Sequence, residues 1–292
     1  MGANSLIQWT DHTFNPWRGC MKVSEGCKNC YAETFVTKRQ GLPVWGQDAE
    51  RRVAAESTWK HPEKWNREAA AAGVRRRVFC ASLSDVFEEY TGPDAPAVAF
   101  ARSRLFALID KTPHLLWLLL TKRPENVIPF VPARWIDEGW PANVWSGFTA
   151  ENQARFDERW EHAKHIPAPV IFTSIEPQIG PVVLPEDYLA RGQRVWPFIG
   201  GESGPGARTF DLAWARSLIK QCADAGVPAF MKQAGSRPRS TDKADYHGRR
   251  AWMWQATDSL ESRLLLDFED KKGGDPEEWP EDLRVREIPA AA

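Results

Sequence analysis

The sequence has no long apolar run. Its longest, residues 115–120, covers six positions, whereas a helix needs about 20 apolar residues to cross a membrane. The first ten residues also lack the basic start and apolar centre of a secretory signal. We therefore expect a protein that does not associate with a membrane and that is located in the cytoplasm.

Cysteines are few and unevenly spread. There are five in 292 residues, and an odd number with three of them clustered argues against a disulfide framework. The two isolated ones, Cys80 and Cys222, fall within a predicted strand and on the apolar face of a predicted helix. Such positions are typical of buried thiols. The cysteine usage agrees with a reducing cytoplasm.

The chain also lacks an excess of charge of either sign. Its 38 Lys and Arg residues nearly balance its 39 Asp and Glu residues, for a net charge of −1. Composition therefore gives no electrostatic argument for a nucleic-acid partner of the whole chain. The length allows one large α/β domain or two smaller ones.

From residue 78 onward, short apolar runs alternate with helical patterns. The runs are typical of buried parallel strands and lie at 78–81, 115–120, 144–148, 170–173, 195–199 and 229–231. A further strand is predicted at 7–13, and helices at 31–39, in pieces over 47–72 with a break at Pro62, and at 96–111, 152–165 and 211–225.

Strand–helix alternation implies right-handed βαβ units. The sequence therefore predicts an α/β fold that forms a full or partial (β/α) barrel, with a doubly wound open sheet as the alternative. The rhythm stops near residue 236. We predict a barrel domain over residues 1–235 and a C-terminal extension over 236–292 that packs on the barrel.

The clustered cysteines form the pattern C-x6-C-x2-C at Cys20, Cys27 and Cys30. Gly19 and Gly26 each precede one of them, which suits a chain that wraps closely around an inorganic centre. Three thiolates leave one coordination position open, whereas structural zinc sites usually have four protein ligands. Soft thiolates favour iron–sulfur clusters, zinc or Cu(I). We favour an iron–sulfur cluster; a zinc site completed by His12 or another distant residue, and a loop without metal, remain open.

Polar residues follow the predicted strands, where a barrel builds its active site. The segments concerned are 82–85, 121–124, 149–152, 174–177, 200–206 and 232–233. The fifth has four glycines in seven residues, so its backbone N–H groups could receive a carboxylate or phosphate. It has neither the Walker pattern nor G-x-G-x-x-G. Glu202 could accept from an amine or a ribose hydroxyl, and we expect Glu202 and Glu176 to face one ligand pocket.

With these segments in order along the chain, the sequence resembles the phage Gp37/Gp68 family, a family of unknown function with a radical-SAM-like three-cysteine motif. The matching segments are 15–20 through 30–32, 82–87, 120–124, 151–153, 175–177, 200–206 and 232–233. The likeness to radical SAM enzymes implies a [4Fe–4S] cluster on Cys20, Cys27 and Cys30. Such a cluster binds S-adenosylmethionine and cleaves it reductively to start radical chemistry.

The resemblance also implies a pocket for cofactor and substrate. Its predicted residues are Tyr31, Ser84, Lys122, Glu176, Gly200, Gly201, Glu202, Ser203 and Gly204. The chain departs from the usual radical SAM pattern, which has three residues between the first two cysteines, an aromatic residue before the third, and Gly-Gly-Glu after the second strand. Here the gap is six, Asn29 precedes Cys30, and Gly-Gly-Glu follows the sixth strand.

Two functions are therefore under consideration. The first is a radical-SAM-type enzyme that receives its electron from a reductant protein and acts on an unknown substrate. A nucleotide or nucleic acid is a candidate substrate because Lys122, Arg123 and Lys232 follow predicted strands. The alternative is a non-catalytic, zinc-binding, phage-associated protein that binds nucleic acid, with some of its fifteen tryptophans stacked on bases.

Overall fold

The computed structural model describes residues 5, 7–246, 251–253 and 264–290. The strands of this part of the chain are β1 (His12–Phe14), β2 (Trp17–Arg18), β3 (Arg52–Val53), β4 (Arg76–Cys80), β5 (Leu115–Thr121), β6 (Val144–Thr149), β7 (Ile171–Ile175), β8 (Val195–Gly200), β9 (Phe210–Asp211), β10 (Phe230–Gln233), β11 (Pro238–Ser240), β12 (Ala251–Met253) and β13 (Leu264–Leu266).

The α-helices of the described residues are α1 (Tyr31–Glu33), α2 (Glu56–Ala71), α3 (Ala95–Asp110), α4 (Val127–Phe130), α5 (Ala133–Asp137), α6 (Gln153–Ala163), α7 (Glu186–Leu189) and α8 (Leu212–Ala225). Helix α1 continues into a π-helical segment, Thr34–Arg39. Short 3-10 segments lie at Glu25–Cys27, Pro124–Asn126, Gly192–Arg194, Lys243–Tyr246, Pro276–Glu278 and Glu281–Leu283. Within these described ranges, no helix has the length and apolar composition needed to cross a membrane.

The main sheet has seven strands in the order β1-β4-β5-β6-β7-β8-β10. This order follows the chain, so the sheet has no point at which the strand order reverses, as it does in a doubly wound fold. In the part of the chain that the structure describes, β1 and β10 are its edges. The fold is an α/β fold with an open, partial (β/α) barrel, which confirms the predicted class and decides between its two versions.

The chain divides into two compact units. The first holds the chain up to residue 148 together with 159–171, and the second holds 149–158 and the chain from 172 onward. The predicted extension from residue 236 belongs to the second unit, and its residues 247–250, 254–263 and 291–292 lie outside the described residues. The predicted boundary at 235 stays a prediction.

The core of the first unit is rich in tryptophan. Parallel pairing of β4 with β5 sets Val78 opposite Trp117, and both side chains are fully buried. Aromatic side chains bury 150–250 Å² each and dominate the energetics of such cores. In the two units together, the largest fully buried side chains include Trp17, Trp117, Trp135, Trp145, Trp160, Trp196 and Trp279. These seven tryptophans are therefore core residues, not surfaces for base stacking.

Helix α8, predicted over residues 211–225, spans Leu212–Ala225. Asp211 caps its start, because its Oδ1 accepts a hydrogen bond from the N–H of Ala213 at 3.0 Å. Gly226 ends it in the left-handed conformation with φ of 65°. The buried face includes Leu212, Leu218 and Cys222, so the isolated cysteine is a core residue as expected.

Two sequence predictions in the first unit were wrong. Helix α2 runs through Pro62 without a break. Pro62 is buried on this helix together with Trp59 and Trp65. An interior proline costs about 3 kcal/mol or more, and burial of large aromatic side chains offsets a cost of this size. The segment 47–55 is not helical; it contains β3, which pairs with β2.

The other error is the first strand, which was predicted at 7–13 and is His12–Phe14. Residues before it form a turn that is fixed by tertiary contacts. Thr10 donates its hydroxyl to the carbonyls of His12 and Arg77, each at 2.9 Å. These bonds keep the residues before His12 out of the regular pairing between β1 and β4.

In the second unit, a C-terminal segment covers the edge of β10. Met231 N–H donates to Val285 O at 2.8 Å, and Glu287 N–H donates to Ala229 O at 2.9 Å. Glu287 O also accepts from the indole N–H of Trp196 at 2.9 Å. An unpaired strand edge is a template for aggregation, so residues 285–287 protect it. A smaller four-stranded sheet, in the order β12-β13-β11-β9, completes this unit.

Candidate functional site

The first cysteine is held between two backbone segments of the first unit. Gly19 N–H donates to Leu83 O at 3.0 Å, and Cys20 O accepts from Gly46 N–H at 3.1 Å. Gly19 has φ of +113°, and a Cβ at this position would lie 2.3 Å from Val44 O. Only glycine fits so close to a backbone oxygen. The glycine before Cys20 therefore allows this backbone to pack directly against the backbone at Val44.

The other two clustered cysteines flank a short helical stretch. Cys27 ends the 3-10 segment Glu25–Cys27, and Cys30 directly precedes α1. Cys30 packs against a small apolar cluster of Ala32, Val36, Val44 and Leu83. Cys27 lies close enough to Cys30 for its negative charge to raise the pKa of the Cys30 thiol.

The structure separates the five cysteines into the two groups that the sequence predicts. All five are free thiols; Cys20, Cys27 and Cys30 are partly exposed, whereas Cys80 and Cys222 are buried. A partly exposed thiol can reach a metal or cofactor, and a buried one behaves as a small apolar side chain.

Arg123 anchors the first cysteine. Its guanidinium makes an ion pair with Asp85, with Nη1 at 2.8 Å from Oδ2, and the two side chains are 6% and 8% exposed. Nη2 donates to the carbonyl of Met21 at 2.8 Å, and Nη1 lies 4.0 Å from Cys20 Sγ. Arg123 is predicted to contact an anionic substrate, but its side chain is buried and already paired with Asp85.

A second buried arginine supports the same loop. Arg51 and Glu88 form a two-pronged ion pair, at 2.8 and 3.1 Å, with both side chains fully buried. Nη1 of Arg51 also donates to the carbonyls of Val44, Gly46 and Ala49 at 2.7–3.1 Å. Because Gly46 bonds to Cys20, the Arg51–Glu88 pair supports the backbone next to the first cysteine. Sequence reasoning missed both residues, since nothing in their spacing marks them as partners.

Three predicted cofactor residues lie around the cysteines. Tyr31 is 57% exposed and donates its hydroxyl to Ser82 O at 2.8 Å. Ser84 forms a parallel bridge with Gly19, next to Cys20. Lys122 is near enough to Cys30 for its positive charge to lower the pKa of that thiol. The structure therefore places Tyr31, Ser84 and Lys122 near the cysteine loop, and their contact with a cofactor stays a prediction.

The surroundings of Cys20 and Cys30 disfavour their free thiolates. Burial raises the pKa of the Cys20 thiol, and the negative charges of Asp85 and Glu88 add to the effect, whereas Arg123 opposes it. Burial also raises the pKa of Cys30, against the opposing influence of the Glu33 backbone and Lys122. A bound cation compensates for such a shift, because a metal deprotonates its thiol ligands outright.

The donor set fits an iron–sulfur cluster. It consists of three free thiols, and beside it the hydroxyl of Ser84 is buried without a hydrogen-bond partner among the described residues. A buried, unpaired polar atom is uncommon and calls for an explanation such as a bound group. No three His, Cys, Asp or Glu side chains within the described ranges are grouped to hold a single metal ion. In an iron–sulfur cluster each cysteine binds a different iron atom, so the three thiolates need not converge on one point.

The remaining predicted residues lie in the second unit. Glu176, just after β7, makes an ion pair with Lys232 of β10, with Nζ at 2.8 and 2.6 Å from the two carboxylate oxygens. Gly200 lies beside this pair, since a Cβ there would be 3.4 Å from Cδ of Glu176. Sequence analysis selected Glu176 and Lys232 separately, and the structure shows them to be partners.

The glycine-rich segment packs against the backbone that directly follows β10. A Cβ on Gly201 would lie 2.4 Å from Ala234 O. Gly201 N–H donates to Gln233 O at 3.0 Å, and Gly204 N–H donates to Ser236 Oγ at 2.9 Å. Two of the N–H groups that were expected to meet an anion are therefore bonded within the unit. Ser203 lies between them in sequence and is partly exposed. Its predicted contact with a ligand stays a prediction.

Glu202 is buried and carries its own counter-ion. Arg208 donates from its backbone N–H and from Nε to Oε2, at 2.9 and 3.0 Å, and from Nη2 to Oε1 at 2.7 Å. The sequence offered no sign of this partner beyond an arginine six residues downstream. A ligand amine or hydroxyl at Glu202 would therefore have to compete with Arg208, and the expectation that Glu202 and Glu176 face one pocket stays a prediction.

A family model described as "Protein of unknown function (DUF5131)" matches residues 4–266. The chain belongs to this family. Its description does not include the Gp37/Gp68 name, which stays a prediction. No curated protein matches the chain. A solved structure of a spore photoproduct lyase mutant is similar at a TM-score of 0.47 and 12% identity, covering 93% of this chain and 72% of that one.

Proposed function

We propose that this member of the DUF5131 family is a radical-SAM-type iron–sulfur enzyme. The observation that carries the proposal is the cysteine loop, in which three free, partly exposed thiols follow the first strand of a parallel sheet. The two remaining cysteines are buried elsewhere. This division is expected if the three serve a redox centre and the two serve the core.

In this proposal Cys20, Cys27 and Cys30 hold a [4Fe–4S] cluster. With S-adenosylmethionine, such a cluster supplies a one-electron reduction that starts radical chemistry. Tyr31, Ser84 and Lys122 would border the bound cofactor, because they lie around the cysteines.

In the second unit, the proposed ligand contacts are the ends of its strands. The proposed cofactor and substrate residues there are Glu176, Gly200, Gly201, Glu202, Ser203 and Gly204. Lys122 and Lys232 are proposed cations for an anionic substrate, of which a nucleotide or nucleic acid is one class. Arg123 is removed from this set because it is buried in an ion pair.

The proposal includes a protein that supplies electrons and a cytoplasmic location. A free-thiol loop agrees with a reducing compartment. One-electron reduction of a cluster needs an electron donor. In the test below, dithionite replaces that protein.

The test starts from protein purified and reconstituted without oxygen. We expect iron and sulfide in the wild type and in Cys222→Ala, and their loss in Cys20→Ala, Cys27→Ala and Cys30→Ala. Cys222→Ala is the matched control, since it removes a thiol that is buried in α8. Metal and sulfide analysis with visible absorption spectra gives the readout.

The second stage adds dithionite and S-adenosylmethionine to the cluster-loaded wild type. We expect 5′-deoxyadenosine and methionine, measured by liquid chromatography. A loaded cluster without this product would reject the radical chemistry. Stoichiometric zinc in place of iron and sulfide would instead favour the zinc-binding alternative.

A further inference from the structure

Arg123 makes two contacts to the start of the cysteine loop. It donates to the carbonyl of Met21, directly after the first cysteine, and its Nη1 lies 4.0 Å from the sulfur of Cys20. The same guanidinium is paired with Asp85 at 2.8 Å and is almost completely buried. One rigid group therefore contacts both the thiol and the backbone that carries it.

The position of Arg123 is fixed by the ends of two strands. Asp85, in the segment that follows β4, accepts from Thr121 Oγ1 at 2.8 Å and from Phe87 N–H at 3.0 Å. Thr121 ends β5, and its Oγ1 accepts from Arg123 N–H at 2.9 Å. Asp85 is thus oriented independently of Arg123, and the arginine follows it.

The contacts suit arginine and no other cation. A guanidinium is planar, always charged, and presents five donors in a fixed fork, whereas a lysine presents one compact ammonium group. At this position the fork faces a carboxylate, a carbonyl and a sulfur at once. Lysine could keep the charge but could not reproduce the three contacts.

We propose that Arg123 is a positioning residue for Cys20, which fixes the first cluster ligand and places a buried positive charge at its sulfur. This inference rests on the proposed function. Hydrogen bonds to cluster sulfurs and nearby charge set the reduction potential of an iron–sulfur cluster. A positive charge favours the reduced form, which carries one more electron, so Arg123 raises the potential and makes the cluster easier to reduce.

The test compares three full-length variants with the wild type, all reconstituted without oxygen. Arg123→Gln removes the charge, and Arg123→Lys keeps it without the fork. The double variant Arg51→Gln/Glu88→Gln is the matched control, because it removes the other buried arginine–carboxylate pair of the same unit and leaves neither charge unpaired. Arg51 bonds to backbone carbonyls near the cysteine loop, and Glu88, whose negative charge acts on Cys20, is removed together with it.

The readout is a redox titration followed by electron paramagnetic resonance. For Arg123→Gln we expect the reduced-to-oxidised ratio at the wild-type midpoint to fall at least tenfold, which is about 59 mV for a one-electron couple. We expect a smaller fall for Arg123→Lys and no fall for the double variant Arg51→Gln/Glu88→Gln, which leaves no buried carboxylate unpaired. A loss of structural support alone would affect the control as much.

Iron analysis identifies a variant that has lost its cluster and therefore cannot be titrated. Loss of iron from Arg123→Gln, with retention in the double variant Arg51→Gln/Glu88→Gln, supports the positioning role directly. Equal loss from both, or a loaded Arg123→Gln with the wild-type potential, overturns the inference and leaves the proposed function intact. A wild type without iron and sulfide refutes both together.

Discussion

The ion pairs of the two units differ in burial. In the first unit, the Arg51–Glu88 side chains are completely buried and the Arg123–Asp85 pair nearly so. In the second unit, Lys232 and Glu176 are 24% and 15% exposed. Burial removes water as a competing partner, so a buried pair holds one geometry, whereas a partly exposed pair can exchange its partner for water or a ligand. The contrast indicates a rigid cysteine loop and more adaptable strand ends in the second unit.

The roles of the cations differ as well. Arg51 bonds to three backbone carbonyls and to Glu88. Lys232 bonds through Nζ to the two oxygens of Glu176. An arginine that ties several backbone carbonyls together is part of the scaffold, while a lysine on one carboxylate is a point charge that remains available for recognition. The following predictions test this contrast.

The largest effect is expected for Glu88→Gln. The substitution leaves the charge of Arg51 buried and uncompensated, and breaking a buried pair in this way costs about 3–5 kcal/mol. The free energy of unfolding of the first unit, measured with urea and tryptophan fluorescence, should fall by this amount. Lys64→Gln is the control, since Lys64 pairs with Glu68 on the exposed surface of α2 and such pairs contribute about 0.3–0.5 kcal/mol. Equal stability of the two variants would show that the Arg51–Glu88 pair does not secure the loop.

A smaller effect is expected from a pair of matched glycines. Gly19 and Gly46 have φ of +113° and +115°, so alanine at either should cost about 1–3 kcal/mol in backbone strain. A Cβ on Gly19 would also meet Val44 O at 2.3 Å, whereas one on Gly46 has nothing within 4 Å. We expect Gly19→Ala to be less stable than Gly46→Ala by roughly 1 kcal/mol or more, and to retain less iron after reconstitution. Chemical denaturation and iron analysis of both variants provide the measurements, and equal values would mean that the contact at Gly19 relaxes without cost.

Much of the fold could be predicted from the sequence because its buried strands are apolar on both faces. Strand β5 contains an uninterrupted apolar stretch over residues 115–120, and α8 carries a cap at each end. The failures occurred where tertiary contacts override local preference. Pro62 remains inside α2 because that helix buries two tryptophans, and the turn before β1 depends on a hydrogen bond from Thr10 to Arg77, 67 residues away.

The candidate site could be predicted only in part. Cysteine spacing located the loop, and the position of Ser84 and Lys122 after predicted strands placed them near it. The pairings Arg51–Glu88 and Arg123–Asp85 join residues 37 and 38 positions apart, and no local pattern specifies which buried carboxylate an arginine will meet. At Gly201 the sequence indicated a closely bound ligand, and the structure shows that the carbonyl of Ala234 also requires the absence of a side chain there; the ligand at Gly201 stays a prediction.

The smallest effect is expected at the partly exposed pair of the second unit. Glu176→Gln, Lys232→Gln and the double variant form a mutant cycle that isolates the coupling between the two side chains. We expect a coupling free energy of about 0.2–1 kcal/mol that weakens as salt is raised, because both groups retain access to water and mobile ions. Urea unfolding at low and high ionic strength measures it. A coupling above about 2 kcal/mol that does not respond to salt would place this pair in the same class as Arg51–Glu88. Lys232 would then be a fixed part of the scaffold and could not serve as a cation for an anionic substrate.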